Sequence, residues 1–142
     1  MKRIASAAWT GGLKDGKGSL TSGSKTLNST PYSFNSRFEN GSGTNPEELI
    51  ASAHAGCFTM AFAFALEQAG MKGVSVQTQA TVTLDQVAGG FAITGIALAT
   101  TARVPGADAA KVKQIGEEAK KNCPISKALA SVPITLEAKI EV

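Results

Sequence analysis

The chain contains one histidine and two cysteines, and two of these three residues lie three positions apart: His54 and Cys57, in the stretch HAGCF at residues 54 to 58. On a helix that spacing makes them surface neighbours, so His54 could draw the proton from Cys57 and create a nucleophile in the manner of a cysteine hydrolase. Such a hydrolase also needs an oxyanion hole and a third group to orient the imidazole. A mid-helix cysteine has backbone N–H groups already used by the helix around it. A packed, hydrogen-bonded core histidine therefore fits position 54 better.

Activating Cys57 as a thiolate requires help from elsewhere. It falls about 11 residues into the expected helix, roughly 16 Å from the positive end of the helix dipole at ~1.5 Å per residue. A thiol with a pKa near 8.5 is only about 3% ionised at pH 7, but a nearby cation that lowers it by about two units makes it mostly thiolate. Arg37, in the strand-like SFNSRFEN, is the candidate cation, although a strand arginine is commonly a solvated one. Of two adjacent glutamates, Glu48 suits a capping box, which leaves Glu47 free to pair with and orient an arginine. Ten helical residues separate Glu47 from Cys57 by about 15 Å, so a site using both needs a fold-back or a second copy of the chain. Cys123 follows Lys120 and Lys121 and precedes PISKALA, surroundings that favour a thiolate. Movement at a helix junction could bring it within disulfide range of Cys57, or the two could be unrelated buried thiols.

The elements that must position these residues read as follows. Residues 1 to 44 are rich in Gly, Ser and Thr and carry short strand-like pieces, which suggests a β-meander. Asn45 as N-cap, Pro46 at the first helical position and Glu48 three beyond the cap mark a helix start, with an end near Ala69 and Gly70. VSVQTQATVTLDQV alternates as a half-buried strand, and Gly89-Gly90 turns the chain into a second strand whose apolar parity shifts near Gly95, where a bulge is expected. Asp108 caps a helix with the apolar stripe Val112, Ile115 and Ala119. A short helix from Pro124 and a last alternating strand, ITLEAKIEV, complete the chain. The expected architecture is one α+β domain over residues 1 to 142, with antiparallel strands covering a long central helix.

Composition narrows the function. A net charge of +3, from 14 basic and 11 acidic residues without a block of one sign, argues against a nucleic-acid partner. Two cysteines and one histidine make a poor metal set and too few bridges for a secreted disulfide scaffold. The opening MKRIASAAWT lacks the apolar core of a signal peptide, so a cytoplasmic protein is expected. LIASAHAGCFTMAFAFAL, residues 49 to 66, just reaches the roughly 18-residue length of a membrane span. Ala, Ser, Thr and His dilute it and acids flank it, so a buried core helix is expected and no membrane partner. It is apolar on too many sides for one small sheet to cover, which predicts a homodimer.

Taken together, SRFE at 36 to 39, TNPEEL at 44 to 49, AHAGCF at 53 to 58, VPG at 104 to 106 and NCPISKAL at 122 to 129 closely resemble the osmotically inducible protein C family. More distantly the chain is similar to the organic hydroperoxide resistance proteins. The resemblance implies a cofactor-free thiol peroxidase, built as an intertwined homodimer with two interfacial sites. By position, Cys57 matches the peroxidatic cysteine, Cys123 the resolving one, Arg37 the arginine held against the thiolate and Glu47 the glutamate that orients it. It also implies an organic hydroperoxide as substrate, a preference that Met60, Phe62 and Phe64 would favour, with hydrogen peroxide a weaker one, and an external dithiol, of which a lipoyl group is one type, as reductant. Gly56 departs from the alanine expected there and costs up to ~1 kcal/mol of helix stability. Besides the dithiol peroxidase, a Cys57–His54 hydrolase and a non-catalytic stress or ligand-binding module remain open from the residues alone.

Overall fold

Glycine and small polar residues at the start of the chain leave little apolar surface to bury, and they form a meander of short strands. β1 (Ala5–Thr10), β2 (Lys17–Ser22) and β3 (Thr30–Tyr32) pair antiparallel in that order. Trp9 and Tyr32 are both register partners of Gly18, and their rings meet with centroids 5.5 Å apart. A Cβ at Gly18 would run into the Tyr32 ring, so the missing side chain is what lets the ring lie flat over β2. The computed structural model describes residues 1–142, and its packing falls into two units, Met1–Leu49 and Ile50–Val142.

The stretch around Arg37 is not a strand. It forms a short helix, α1 (Phe34–Phe38), because two serines satisfy each other's backbone: Ser33 accepts from the Ser36 N–H at 3.1 Å and Ser36 accepts from the Ser33 N–H at 2.9 Å. Asn45 then donates to the Ser36 carbonyl at 3.0 Å and accepts from the Glu48 N–H at 2.8 Å, which caps the start of α2 (Pro46–Gln68) as its sequence predicts. Glu48 does not complete a capping box. Its carboxylate accepts instead from the Thr44 hydroxyl at 2.9 Å.

In the second unit the two long strands β4 (Ser75–Val87) and β5 (Gly90–Arg103) form a hairpin whose turn uses positive φ at Gly89 and Gly90. Thr83 pairs with Gly95 and Leu84 with Ile93, so the extra residue that shifts the parity is Thr94, one before the expected glycine. β6 (Ile134–Glu141) pairs with β5 in parallel, not antiparallel, and makes the second sheet mixed. The connection supplies the reason: α3 (Ala109–Asn122) and α4 (Pro124–Ala128) carry the chain back to the start of the strand, a crossover long enough for parallel pairing.

The core lies in this unit. Phe58, Phe62 and Leu66 of α2 pack with Ile96, Leu98 and Ala102 of β5, with Val104 just beyond that strand, with Val112 and Ala119 of α3, and with Cys123. Gly116 of α3 lets the Phe62 ring approach, since a Cβ there would stand 3.2 Å from its Cζ. Only one stripe of α2 is buried within the chain, at positions 54, 58, 62 and 66, while Met60 and Phe64 stay 73% and 60% exposed. That exposure agrees with the expectation that one small sheet cannot cover this helix: by length and composition α2 could cross a membrane, but its buried stripe belongs to a packed core. A Cβ at Gly56 would meet no atom within 4 Å, so no packing within the chain requires that glycine. Phe62→Ala, which empties the centre of the core, should cost about 3–5 kcal/mol, read as a lower urea midpoint.

Candidate active site

The candidate residues fall into two pairs, one in each unit. In the first, Arg37 sits in the last turn of α1 and Glu47 in the first turn of α2. The carboxylate receives Nη2 of Arg37 at 2.7 Å and Nε at 3.2 Å to each oxygen, a clamp that fixes the plane of the guanidinium. Glu47 is 11% exposed in its side chain and Arg37 38%. The Arg37 Cζ also lies 5.2 Å from the centre of the Phe38 ring. Nη1 keeps both of its N–H groups for a further acceptor.

In the second pair, Cys57 and Cys123 are free thiols with their sulfurs 2.7 Å apart. Cys57 lies mid-way along α2 and is half-buried. Cys123 is buried where α3 ends and α4 begins, as C-cap of the one and N-cap of the other. Pro124 suits the first position of α4, since it has no N–H to leave unpaired. The separation exceeds a bonded S–S length of about 2.05 Å by so little that oxidation requires only a small shift.

The two thiols differ in acidity. Burial raises the Cys57 thiol above its ordinary value, and the hydrogen bond and charge of Cys123 raise it further against a lowering by the Ile125 N–H. Burial also works to raise Cys123. There, hydrogen bonds from Cys57, from the backbone N–H and hydroxyl of Ser126 and from the Ile125 N–H outweigh it, and the thiol is lowered. When both are thiols Cys123 donates to Cys57. Once Cys123 ionises the bond reverses, with the Cys57 S–H donating to the thiolate.

His54 does not serve Cys57. Its Nε2 is taken by the Ser126 hydroxyl at 2.7 Å, its Nδ1 is buried without a hydrogen-bond partner, and burial lowers its pKa so that the ring stays neutral. This removes the Cys57–His54 pairing that a hydrolase would use. Phe62, expected near the substrate, faces the core. Ser126 is the residue that sequence reasoning missed; the only local signal was a hydroxyl three positions after Cys123, in CPIS.

Comparison with known proteins gives a consistent result. The family described as OsmC-like protein matches residues 39–137. The chain is 48% identical over 135 residues to the peroxiredoxin OsmC of Escherichia coli (strain K12), covering 95% of this chain and 94% of that protein. It is 34% identical over 137 residues to an organic hydroperoxide resistance protein of Xanthomonas axonopodis pv. citri, covering 93% and 91%. Among solved structures it is similar to the organic hydroperoxide resistance protein OhrB of Bacillus subtilis, with a TM-score of 0.72, 26% identity and coverage of 96% and 98%.

Two outcomes are expected from this geometry. Mild oxidation should link Cys57 to Cys123 within one chain, detected by peptide mapping under non-reducing conditions. His54 binds its proton more weakly folded than unfolded, so stability is full above the ordinary value of 6.5 and is lost as pH falls below it. The urea midpoint should drop over that range, and His54→Gln should remove the drop.

Proposed function

The chain belongs to the OsmC-like protein family, and from that membership we propose that it is a cysteine-dependent peroxidase that reduces organic hydroperoxides, and hydrogen peroxide more weakly, to alcohols or water. The observation that carries this reading is the pair of unbonded sulfurs 2.7 Å apart, one half-buried and one enclosed. In the proposed reaction the Cys57 thiolate attacks the terminal oxygen of the hydroperoxide. The O–O bond breaks, an alkoxide leaves and takes a proton to become the alcohol, and Cys57 is left as a sulfenic acid. The Cys123 thiolate then attacks the Cys57 sulfur, hydroxide leaves as water, and a disulfide forms before further peroxide can over-oxidise Cys57. An external dithiol, of the lipoyl type or another small or protein dithiol, returns both thiols. A reducing cytoplasm is the compartment that suits two free cysteines.

Arg37 and Glu47 complete the proposed site. The neighbours of Cys57 within its own unit raise its pKa, so a cation is needed to make it a thiolate. Glu47 holds the Arg37 guanidinium at the start of α2, and ten residues of that helix, about 15 Å, separate Glu47 from its own Cys57. We therefore assign the arginine at each Cys57 to a second copy of the chain, in a homodimer that also covers the exposed Met60 and Phe64. Nη1 of Arg37 would then meet the thiolate and the developing alkoxide.

With cumene hydroperoxide and dithiothreitol, the wild type should consume peroxide, Cys57→Ser should abolish turnover, and Cys123→Ser should accumulate sulfenic and sulfinic acid. Arg37→Met should lower kcat/KM by at least about tenfold through loss of thiolate. Mixing Arg37→Met with Cys57→Ser tests the shared site. Random re-pairing should restore about a quarter of wild-type activity, since half of the dimers are hybrids with one intact site in two. No turnover by the wild type would refute the peroxidase, and no recovery on mixing would return the arginine to its own chain.

A further inference from the structure

The two sulfurs lie side by side but do not share one environment, and the difference decides how a disulfide between them can be reopened. Cys123 is 0% exposed and belongs to the core with Phe58, Phe62 and Val112, at the junction of α3 and α4. Cys57 is half-buried, and Ala53 and Gly56, its small neighbours on α2, are both exposed. A side-chain carbon added at Gly56 would meet no atom within 4 Å. We propose that the external dithiol attacks the Cys57 sulfur of the disulfide, forms its mixed disulfide there and expels Cys123 as the leaving thiolate. The inference rests on the reading of this pair as the redox couple of a peroxidase, and it adds the sulfur at which the second half of the cycle begins.

The distance between the thiols carries the argument from the reduced form to the oxidised one. Sulfurs already 2.7 Å apart need only a small shift to reach a bonded length of about 2.05 Å, so closing the bond does not draw Cys123 out of the core. Thiol–disulfide exchange depends on access to the sulfur under attack. Attack on Cys123 would have to come through the side chains that enclose it, or wait for the α3–α4 junction to open. Cys57 keeps surface of its own. A second copy of the chain can only enclose Cys123 further, whereas the proposed reaction requires that peroxide still reach Cys57. One opening then serves both substrates in turn.

The exchange balances with the dithiol as the reductant. Its thiolate gives an electron pair to the Cys57 sulfur, the protein S–S bond breaks, and that bond's pair stays on Cys123. The second reductant thiol loses its proton to solvent and attacks the reductant sulfur of the mixed disulfide, which releases Cys57 and leaves the reductant as a cyclic disulfide. Two electrons pass to the protein. A thiol of lower pKa leaves faster, and Cys123 is the lowered one of the pair while Cys57 is raised, so departure and access favour the same direction. The geometry also explains why a dithiol is needed: a monothiol joined to Cys57 would sit beside the Cys123 thiolate, which expels it and restores the protein disulfide.

Two measurements test this without peroxide. In the first, wild type is oxidised with diamide, mixed for milliseconds with 2-mercaptoethanol, quenched in acid and labelled with N-ethylmaleimide. Peptide mapping should find mercaptoethanol on Cys57 and the label on Cys123, in at least about tenfold excess over the reverse. In the second, Ellman's reagent is given to the two single-cysteine variants. Cys123 in folded Cys57→Ser should react at least about a hundredfold more slowly than Cys57 in folded Cys123→Ser, and in urea the two should react at similar rates. Mercaptoethanol found mainly on Cys123, or equal reaction of the two folded thiols, would overturn the assignment. A chain that gives the Cys57 adduct after diamide but consumes no peroxide would overturn the peroxidase reading instead.

Discussion

Two sulfurs held 2.7 Å apart without a bond between them set the demand that the rest of the second unit meets. One sits mid-way along a long helix and the other at a junction between two helices, so the distance survives only if the helix and the junction are fixed against a common core. Phe58, one residue after Cys57, is fully buried, and Phe62 and Leu66 continue the same stripe. On the other side, Val112 and Ala119 anchor α3, and Cys123 is itself part of the core. The parallel pairing of β5 with β6 belongs to the same arrangement. A parallel partner requires a crossover, and the crossover is the α3–α4 segment that carries the second thiol.

Local signals in the sequence were legible where a few adjacent residues decide the outcome. Asn45 and Pro46 start α2 where they should, Asp108 caps α3, and the parity shift in β5 marks a bulge to within one residue. The helix around Arg37 was not legible: SFNSRF alternates like a strand, and the helix depends on two serine hydroxyls closing on each other's backbone. Glu48 shows the same limit, since Thr44 offered its carboxylate a hydroxyl in place of the cap. Strand direction was not legible in ITLEAKIEV because alternation has a period of two in either sense. A run apolar on nearly all sides cannot announce which stripe it buries, so Phe62 went inward and Phe64 outward without a pattern to separate them.

The site divides along the same line. Cysteines, arginine and glutamate were legible as types and spacings, and the clamp of Glu47 on Arg37 follows from a free carboxylate at a helix start. Ser126 was hidden because its partner lies 72 positions away and only tertiary packing joins them. The histidine drew attention for its spacing to Cys57, yet that spacing does not describe its bond. Positions 54, 58, 62 and 66 make one inward stripe, and His54 points along it toward α4, not toward the thiol three residues on.

The two thiols use different physics to become reactive. Cys123 is lowered by neutral donors alone, two backbone N–H groups and a hydroxyl besides its neighbouring thiol, which is the inexpensive solution for a buried anion because no second charge has to leave water. Cys57 has one such N–H donor and is raised. Within a single chain the proton therefore stays on Cys57, the sulfur that attacks first in the proposed reaction, and negative charge gathers on Cys123, the one that attacks second. In the proposed dimer, an arginine kept oriented by Glu47 and still 38% exposed would reverse that order by favouring the charge on Cys57. In the proposed reaction Cys57 would no longer compete as an anion after oxygen transfer, and the lowered Cys123 thiol would ionise in its turn. The sequence of attacks would then follow from which donors each sulfur meets at each stage, with assembly of two chains as the condition for the first.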